Sequence, residues 1–327
     1  VGALPNLSLL ACALAAAALI PGGSDRRVID DSYTIGQRFE QYRDKYPGIA
    51  WAPVTWREGQ SVLFDRPYKN TGTRDLHIDI FEAAPASAPK HQGVLLVHGG
   101  GWSAGNKSHF YALANLLAQR GYTVFLPEFR LSPEASYPAG MIDIGDALAW
   151  ARAHADEFGL RADHIAVGGA SSGGQMASLL AYAGPSGLFG NGKERRANAL
   201  IDLDGVLDFT APEALRFENA AGDASPAARW LGGSYETAPA KWHEASAASH
   251  VGADAVPTLI VSSGISRFTQ GKDRVIAALD SHHVVHRSFA FENAPHDFWL
   301  FQPWLPRAVA EIDQFFTDLV PQEPAAK

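Results

Sequence analysis

A serine set between glycines, a glycine triplet behind a histidine, and a second histidine near the far end of the chain could do chemistry together. Ser171 lies in Ala166-Val167-Gly168-Gly169-Ala170-Ser171-Ser172-Gly173-Gly174-Gln175-Met176. Gly169-x-Ser171-x-Gly173 fits a nucleophile elbow, in which the serine occupies a strained strand-to-helix turn. Side chains two residues to either side would collide in so sharp a turn, which accounts for both glycines. A helix starting there aims its N–H groups and positive dipole end at the serine. A phosphate loop or an ordinary turn would also explain five such residues taken alone. His98-Gly99-Gly100-Gly101-Trp102 lies about seventy residues earlier. Three glycines in a row let backbone N–H groups converge on one point, as a tetrahedral oxyanion requires. A flexible loop is the plain alternative, and the loop's place directly after an apolar strand argues against it. His296, in Asn293-Ala294-Pro295-His296-Asp297-Phe298, follows the last strand-like run. A general base belongs there, and the order serine before histidine agrees. Ser172 competes with Ser171 as nucleophile, but it has Ala170 and not glycine two residues before it.

These residues need a scaffold that brings them to one edge. Residues 30–53 read as a polar helical lead-in ending in a Pro/Gly-rich turn. Strand patterns follow at 61–68 and 76–81, joined by the turn Asn70-Thr71-Gly72-Thr73. An apolar strand at 93–97 runs into His98, a helix over 108–120 is closed by Gly121, and 122–126 is the next strand. A long helix is expected over 141–158, then the strand before the elbow. Strand-like runs at 199–203, 257–262 and 284–291 alternate with helical ones at 272–279 and 308–319. Such alternation over more than two hundred residues, without internal repeats, predicts one doubly wound, mostly parallel α/β sheet. The Ala-rich stretch 212–249 reads as a small cap-like insertion.

Composition narrows the classes. The 327 residues are 46% hydrophobic and 19% charged, as expected of a globular chain with a large core. A net charge of −8 argues against nucleic acid and an anionic membrane as partners, and suits a neutral sugar or ester. Cys12 is the single cysteine, which excludes a disulfide framework and a Cys-based zinc site. It lies in the unbroken apolar run 7–20, followed by Pro21-Gly22-Gly23. That run is short for a membrane span and suits a signal peptide over 1–23, with a buried N-terminal helix as the alternative. A signal peptide would make the mature protein secreted or periplasmic, with no membrane association and a single domain over 24–327.

The elbow, His98 to Trp102, Tyr137-Pro138 in the loop after Arg130, Trp230-Leu231-Gly232-Gly233 and Pro295-His296 together resemble the α/β-hydrolase esterases. More narrowly, they resemble the branch shared by hormone-sensitive-lipase-like esterases and bacterial carbohydrate esterases, over roughly residues 60 to 320. The resemblance implies the α/β-hydrolase fold with an eight-stranded sheet, and serine-ester hydrolysis without cofactor or metal. For secreted members it implies removal of acetyl or feruloyl groups from plant oligo- or polysaccharide, by a monomer or homodimer. It places the nucleophile at Ser171, and the oxyanion hole at Gly100, Gly101 and the N–H of Ser172. A catalytically weak binding protein and a serine peptidase of the same fold are the competing readings. Retention of both serine and histidine weighs against the first, and the lack of a gating domain against the second.

The acid departs from the family pattern. It normally falls a few residues after the seventh strand, near Gly264, where this chain has Arg267. Asp204, at the end of the sixth strand, is favoured narrowly, since some members have moved the acid one strand over. Asp273 is in the right interval but late, and a helix N-terminus explains it equally well. Asp202 and Asp208 are weaker options, and a Ser–His pair without an acid is also open. Trp102 is expected to line the site. Phe298, Trp299, Phe301 and Trp304 are either a sugar-stacking wall, with Trp299 binding substrate, or core. His282, His283 and His286 read as a solvated turn and not as a metal cluster.

Overall fold

In the computed structural model, residues 32–84 and 87–320 are described. The apolar run 7–20, Cys12 and the expected signal peptide lie outside the described residues. Eight strands form the main sheet: β1 (Val62–Asn70), β2 (Asp75–Phe81), β3 (Gly93–Val97), β4 (Thr123–Pro127), β5 (Ile165–Ala170), β6 (Leu200–Leu203), β7 (Thr258–Ser262) and β8 (His286–Ala290). Their spatial order is β1-β2-β4-β3-β5-β6-β7-β8. β1 pairs antiparallel with β2, and β2 with β4, while every later pairing is parallel.

The central strands are buried along their whole length and mostly apolar because both faces are covered. Along β3, Leu95 and Val97 point into one core, and Val94 and Leu96 into the other. The first core takes α3 (Ala139–Ala153), α4 (Ser172–Ala183) and α8 (Lys272–Ser281). The second takes α2 (Tyr111–Ala118) and α9 (Trp304–Leu319). α4 is buried along its whole length, which its small and apolar residues on every side allow. The lead-in contributes one short helix, α1 (Ile35–Tyr42), started by a capping box between Thr34 and Gln37.

Two helices are shorter than the sequence pattern suggests. The expected 141–158 helix stops at Ala153, and residues 155–158 form a separate 3-10 turn closed by Gly159 in the left-handed region. The expected 108–120 helix opens as a 3-10 turn over Lys107–Phe110, with Asn106 as its cap. In both cases hydrophobic periodicity carries on through a change of helix type that it cannot report.

Residues 212–245 form three short helices between β6 and β7: α5 (Pro212–Ala221), α6 (Pro226–Leu231) and α7 (Pro239–Ala245). Each has proline in its first turn, where a missing N–H costs nothing. Trp230 and Trp242, both fully buried, pin the insertion to loops that follow the strands. Trp230 stacks on Trp102 at 5.1 Å and meets Tyr137 edge-on at 5.1 Å. The Tyr137 N–H donates to the Trp230 carbonyl at 2.8 Å. Truncating Trp230→Ala should therefore lower unfolding free energy by about 3–5 kcal/mol, the usual cost of a large buried aromatic. Urea denaturation at neutral pH measures it.

Candidate active site

β5 ends at Ala170, and α4 begins at Ser172, so Ser171 alone makes the turn. Its φ of 55° and ψ of −124° are a strained combination for a residue with a side chain. A Cβ on Gly169 would run into the Gly173 carbonyl, and one on Gly173 into the Val97 carbonyl. The two glycines thus let the elbow close and lie against the end of β3. Ser171 keeps its place in the sheet through its N–H, which donates to the Leu203 carbonyl at 2.9 Å.

Asp204 is placed in the same way one strand over. Its N–H donates to the Val261 carbonyl at 3.0 Å, while its φ of 56° turns the side chain out of the strand's alternation. His296 lies between the two. Its Nδ1 is 2.8 Å from Asp204 Oδ2, and its Nε2 is 2.9 Å from Ser171 Oγ. Asp204 is fully buried and also accepts from the Ser263 N–H at 2.9 Å and the Ser263 hydroxyl at 2.5 Å. Those donors hold the carboxylate in one rotamer facing the imidazole. The ring of His296 is itself clamped, with Phe268 stacked on it at 3.4 Å and Trp299 edge-on at 5.2 Å.

The other carboxylates are elsewhere. Asp273 occupies the first turn of α8 and lines a separate groove with Asp208 and Arg274. Asp208 is bound by Arg274 at 2.6 Å and by Thr210. Asp202 faces α4 and accepts from the Gly205 N–H at 3.1 Å. Burial, followed by repulsion from Asp204, raises the Asp202 carboxyl well above the usual range. Arg267, at the position the family usually gives to the acid, lies over the rings of Phe217 and Phe268 at 5.4 Å from each.

The glycine loop adjoins the serine. Gly100, Gly101 and Trp102 all have positive φ (131°, 59° and 59°). The N–H groups of Gly100, Gly101 and Ser172 have no backbone acceptor among the described residues. His98 braces the loop from behind, with Nδ1 2.8 Å from the Gly99 carbonyl and its ring stacked on Phe129. Trp102 is fastened by its indole N–H to Gln175 at 3.0 Å, and Gln175 in turn to the Ala245 carbonyl at 2.8 Å.

Two hollows meet at Ser171. A recess of about 90 Å³ is lined by Gly101, Trp102, Ser172, Val206, Pro226 and Phe268, among others. A cleft of about 450 Å³ runs from Gly100 and His296 to Tyr33, Arg38, Lys45 and Arg267. Trp299 belongs to neither, which corrects the expectation of a sugar-binding residue. It is 1% exposed, and Phe298, Phe301 and Trp304 pack with it in the second core. Its part is to hold the His296 ring from the side.

Sequence reasoning missed the cleft's outer wall. Asp297 accepts from the Tyr33 hydroxyl at 2.6 Å and the Tyr42 hydroxyl at 2.7 Å, tying α1 and its approach to the His296 turn. These partners are 264 and 255 residues apart in the chain, and no local pattern reports them. Ser263 was also missed, although a serine just past β7 is one strand from the end of β6.

Burial lowers His98 to about 3 and His109 to about 4. Well above pH 6.5 neither the folded nor the unfolded chain protonates them, and they add no pH dependence. Below it the unfolded chain binds the protons first, so stability falls with pH. Between pH 7 and 5 each should cost about 2 kcal/mol. Urea midpoints at pH 7 and 5 test this, and His109→Gln should remove part of the difference.

The BD-FAE family model matches residues 78–278. Over 139 residues the chain is 35% identical to the probable carboxylic ester hydrolase LipM of Mycobacterium tuberculosis (strain ATCC 25618 / H37Rv), covering 41% of this chain and 32% of that protein. The chain spans about a third of the length of the curated relatives it matches first. Among solved structures, Est2, an esterase from Thermogutta terrifontis, superposes with a TM-score of 0.63 at 20% identity, covering 83% of this chain and 96% of that one. A truncated form of a carbohydrate esterase from gut microbiota gives 0.66 at 17% identity, covering 81% and 99%. At such identities the likeness is one of fold.

Proposed function

The chain belongs to the BD-FAE family and has the α/β-hydrolase fold, and from that premise we propose that it is a carboxylic ester hydrolase working through an acyl-enzyme on Ser171. The observation that carries the reading is the hydrogen-bonded line Ser171–His296–Asp204. His296 Nε2 takes the hydroxyl proton as Ser171 Oγ attacks the ester carbonyl, and Asp204 holds the ring in the tautomer that leaves Nε2 free to accept. The charge that develops on the carbonyl oxygen is received by the N–H groups of Gly100, Gly101 and Ser172, with the positive end of α4 behind them. The imidazolium then gives its proton to the departing alcohol. Water, deprotonated by the same nitrogen, attacks the acyl carbon, and the imidazolium returns that proton to Ser171 Oγ as the bond to the acyl group breaks and the acid leaves.

The two hollows divide the substrate. The recess of about 90 Å³ takes the acyl group and suits acetyl or a close homologue, while the cleft of about 450 Å³ takes the alcohol portion. An acylated oligo- or polysaccharide is the proposed natural alcohol portion, supported by the sequence resemblance and by the carbohydrate esterase of like fold. Export to the periplasm or medium is the companion proposal, resting on the apolar run 7–20. The N-terminal residue of protein recovered from expressing cells should then lie near position 24.

Fluorophosphonate labelling followed by peptide mapping should give one adduct, on Ser171, and an adduct on Ser172 overturns the assignment. Ser171→Ala should lower kcat by on the order of 10⁶ and Asp204→Asn by about 10⁴. Asp273→Asn should stay within about tenfold of wild type, as expected for a carboxylate outside the triad. Along a series of p-nitrophenyl esters, kcat/KM should fall steeply from acetyl to octanoyl. A rise with chain length would contradict the small acyl recess.

A further inference from the structure

The alcohol-side cleft has an unusual charge for so acidic a chain. Arg38, Lys45 and Arg267 all line it, and Asp297 is the single carboxylate that does so among the described residues. Asp297 is 1% exposed, and its two oxygens are already taken by Tyr33 and Tyr42. Arg38 approaches Asp297 Oδ2 only to 3.8 Å, and its buried Nε has no hydrogen-bond partner. Lys45 and Arg267 have no carboxylate partner among the described residues. Lys45 rests on the Tyr46 ring and Arg267 on Phe217 and Phe268. Unpaired cations on a concave wall beside low-dielectric rings focus a positive potential. Arg38 Nε has no surface open to the cleft, so Arg38 adds positive charge to the wall without offering that nitrogen as a contact. Arg267 also borders the small recess, so it stands at the junction where the ester bond would lie.

We propose that this cleft receives an alcohol portion bearing a negative charge, a carboxylate on a sugar or hydroxy acid, held by Arg267 and Lys45 with Arg38 deeper in the wall. The inference rests on the esterase reading and narrows its substrate class. It departs from the neutral substrate that the overall charge of −8 suggests. A carboxylate suits planar guanidinium groups that accept it edge-on. Because Lys45 and Arg267 are exposed, the effect is moderate and salt-sensitive. The protein's net charge disfavours an anion, so any preference for one must arise locally.

The test compares 4-acetoxyphenylacetate with its primary amide, a pair whose methylene insulates the phenol from the charge. Each rate is normalised to that ester's alkaline hydrolysis. The full chain should show kcat/KM about tenfold higher for the anion at low ionic strength, shrinking severalfold in 0.5 M NaCl as screening tightens. In the Lys45→Gln/Arg267→Gln double variant the ratio should fall towards one, and Arg267→Lys should keep most of it. A wild-type ratio of one or below, a ratio insensitive to salt, or one unchanged in the double variant overturns the inference and leaves the esterase reading standing. Failure to cleave either ester overturns both.

Discussion

Three side chains meet within hydrogen-bonding distance, two from the ends of β5 and β6 and one from the loop after β8, and the site depends on those strand ends being level. The parallel ladder supplies that constraint. Ala170 is in register with Leu203, and Leu203 with Val261. The pairing then continues one residue beyond each strand: the Ser171 N–H reaches Leu203, and the Asp204 N–H reaches Val261. Both residues are thus fastened to the sheet by their main chain while their positive φ values aim the side chains off it. A one-residue slip between β5 and β6 would invert the face of every β6 side chain and separate the pair. The apolar faces on both sides of the sheet oppose such a slip, so the cores that stabilise the molecule also set the geometry of the site.

Much of this was legible beforehand because the relevant patterns are local. Glycines at 169 and 173 report a close approach of backbones, and three glycines after β3 report converging N–H groups. Asp204 was half legible. The sequence places an aspartate at a strand end, but its turn toward His296 depends on a left-handed φ and on Ser263 from the neighbouring strand. The aromatic run from Phe298 to Trp304 was ambiguous because a binding wall and a core seam have the same composition. Its burial is decided by α9 and α2 closing over it. The α1 segment was read as a lead-in, since nothing within residues 33–42 says that two of its hydroxyls meet Asp297.

Two acids two residues apart at the end of β6 divide the work by environment. Asp204 has four-fold support from Ser263, His296 and its own backbone bond to β7. Asp202 has one weak donor and full burial, so it resists ionising. The contrast matters for the histidine between them and the serine. The carboxylate that faces the ring is the one with donors that support its charge. Burial of Asp202 against α4 disfavours a second charge there.

The tie from Tyr33 and Tyr42 to Asp297 has a consequence for how the molecule is born. In the order of synthesis α1 precedes every strand of the main sheet, and all eight of those strands precede Asp297. The outer wall of the cleft has nothing to fasten to until Asp297 has been made, and the imidazole next to it arrives at the same moment. The cleft wall and the Ser171–His296–Asp204 line are therefore completed together, and only after all eight strands of the main sheet have been made.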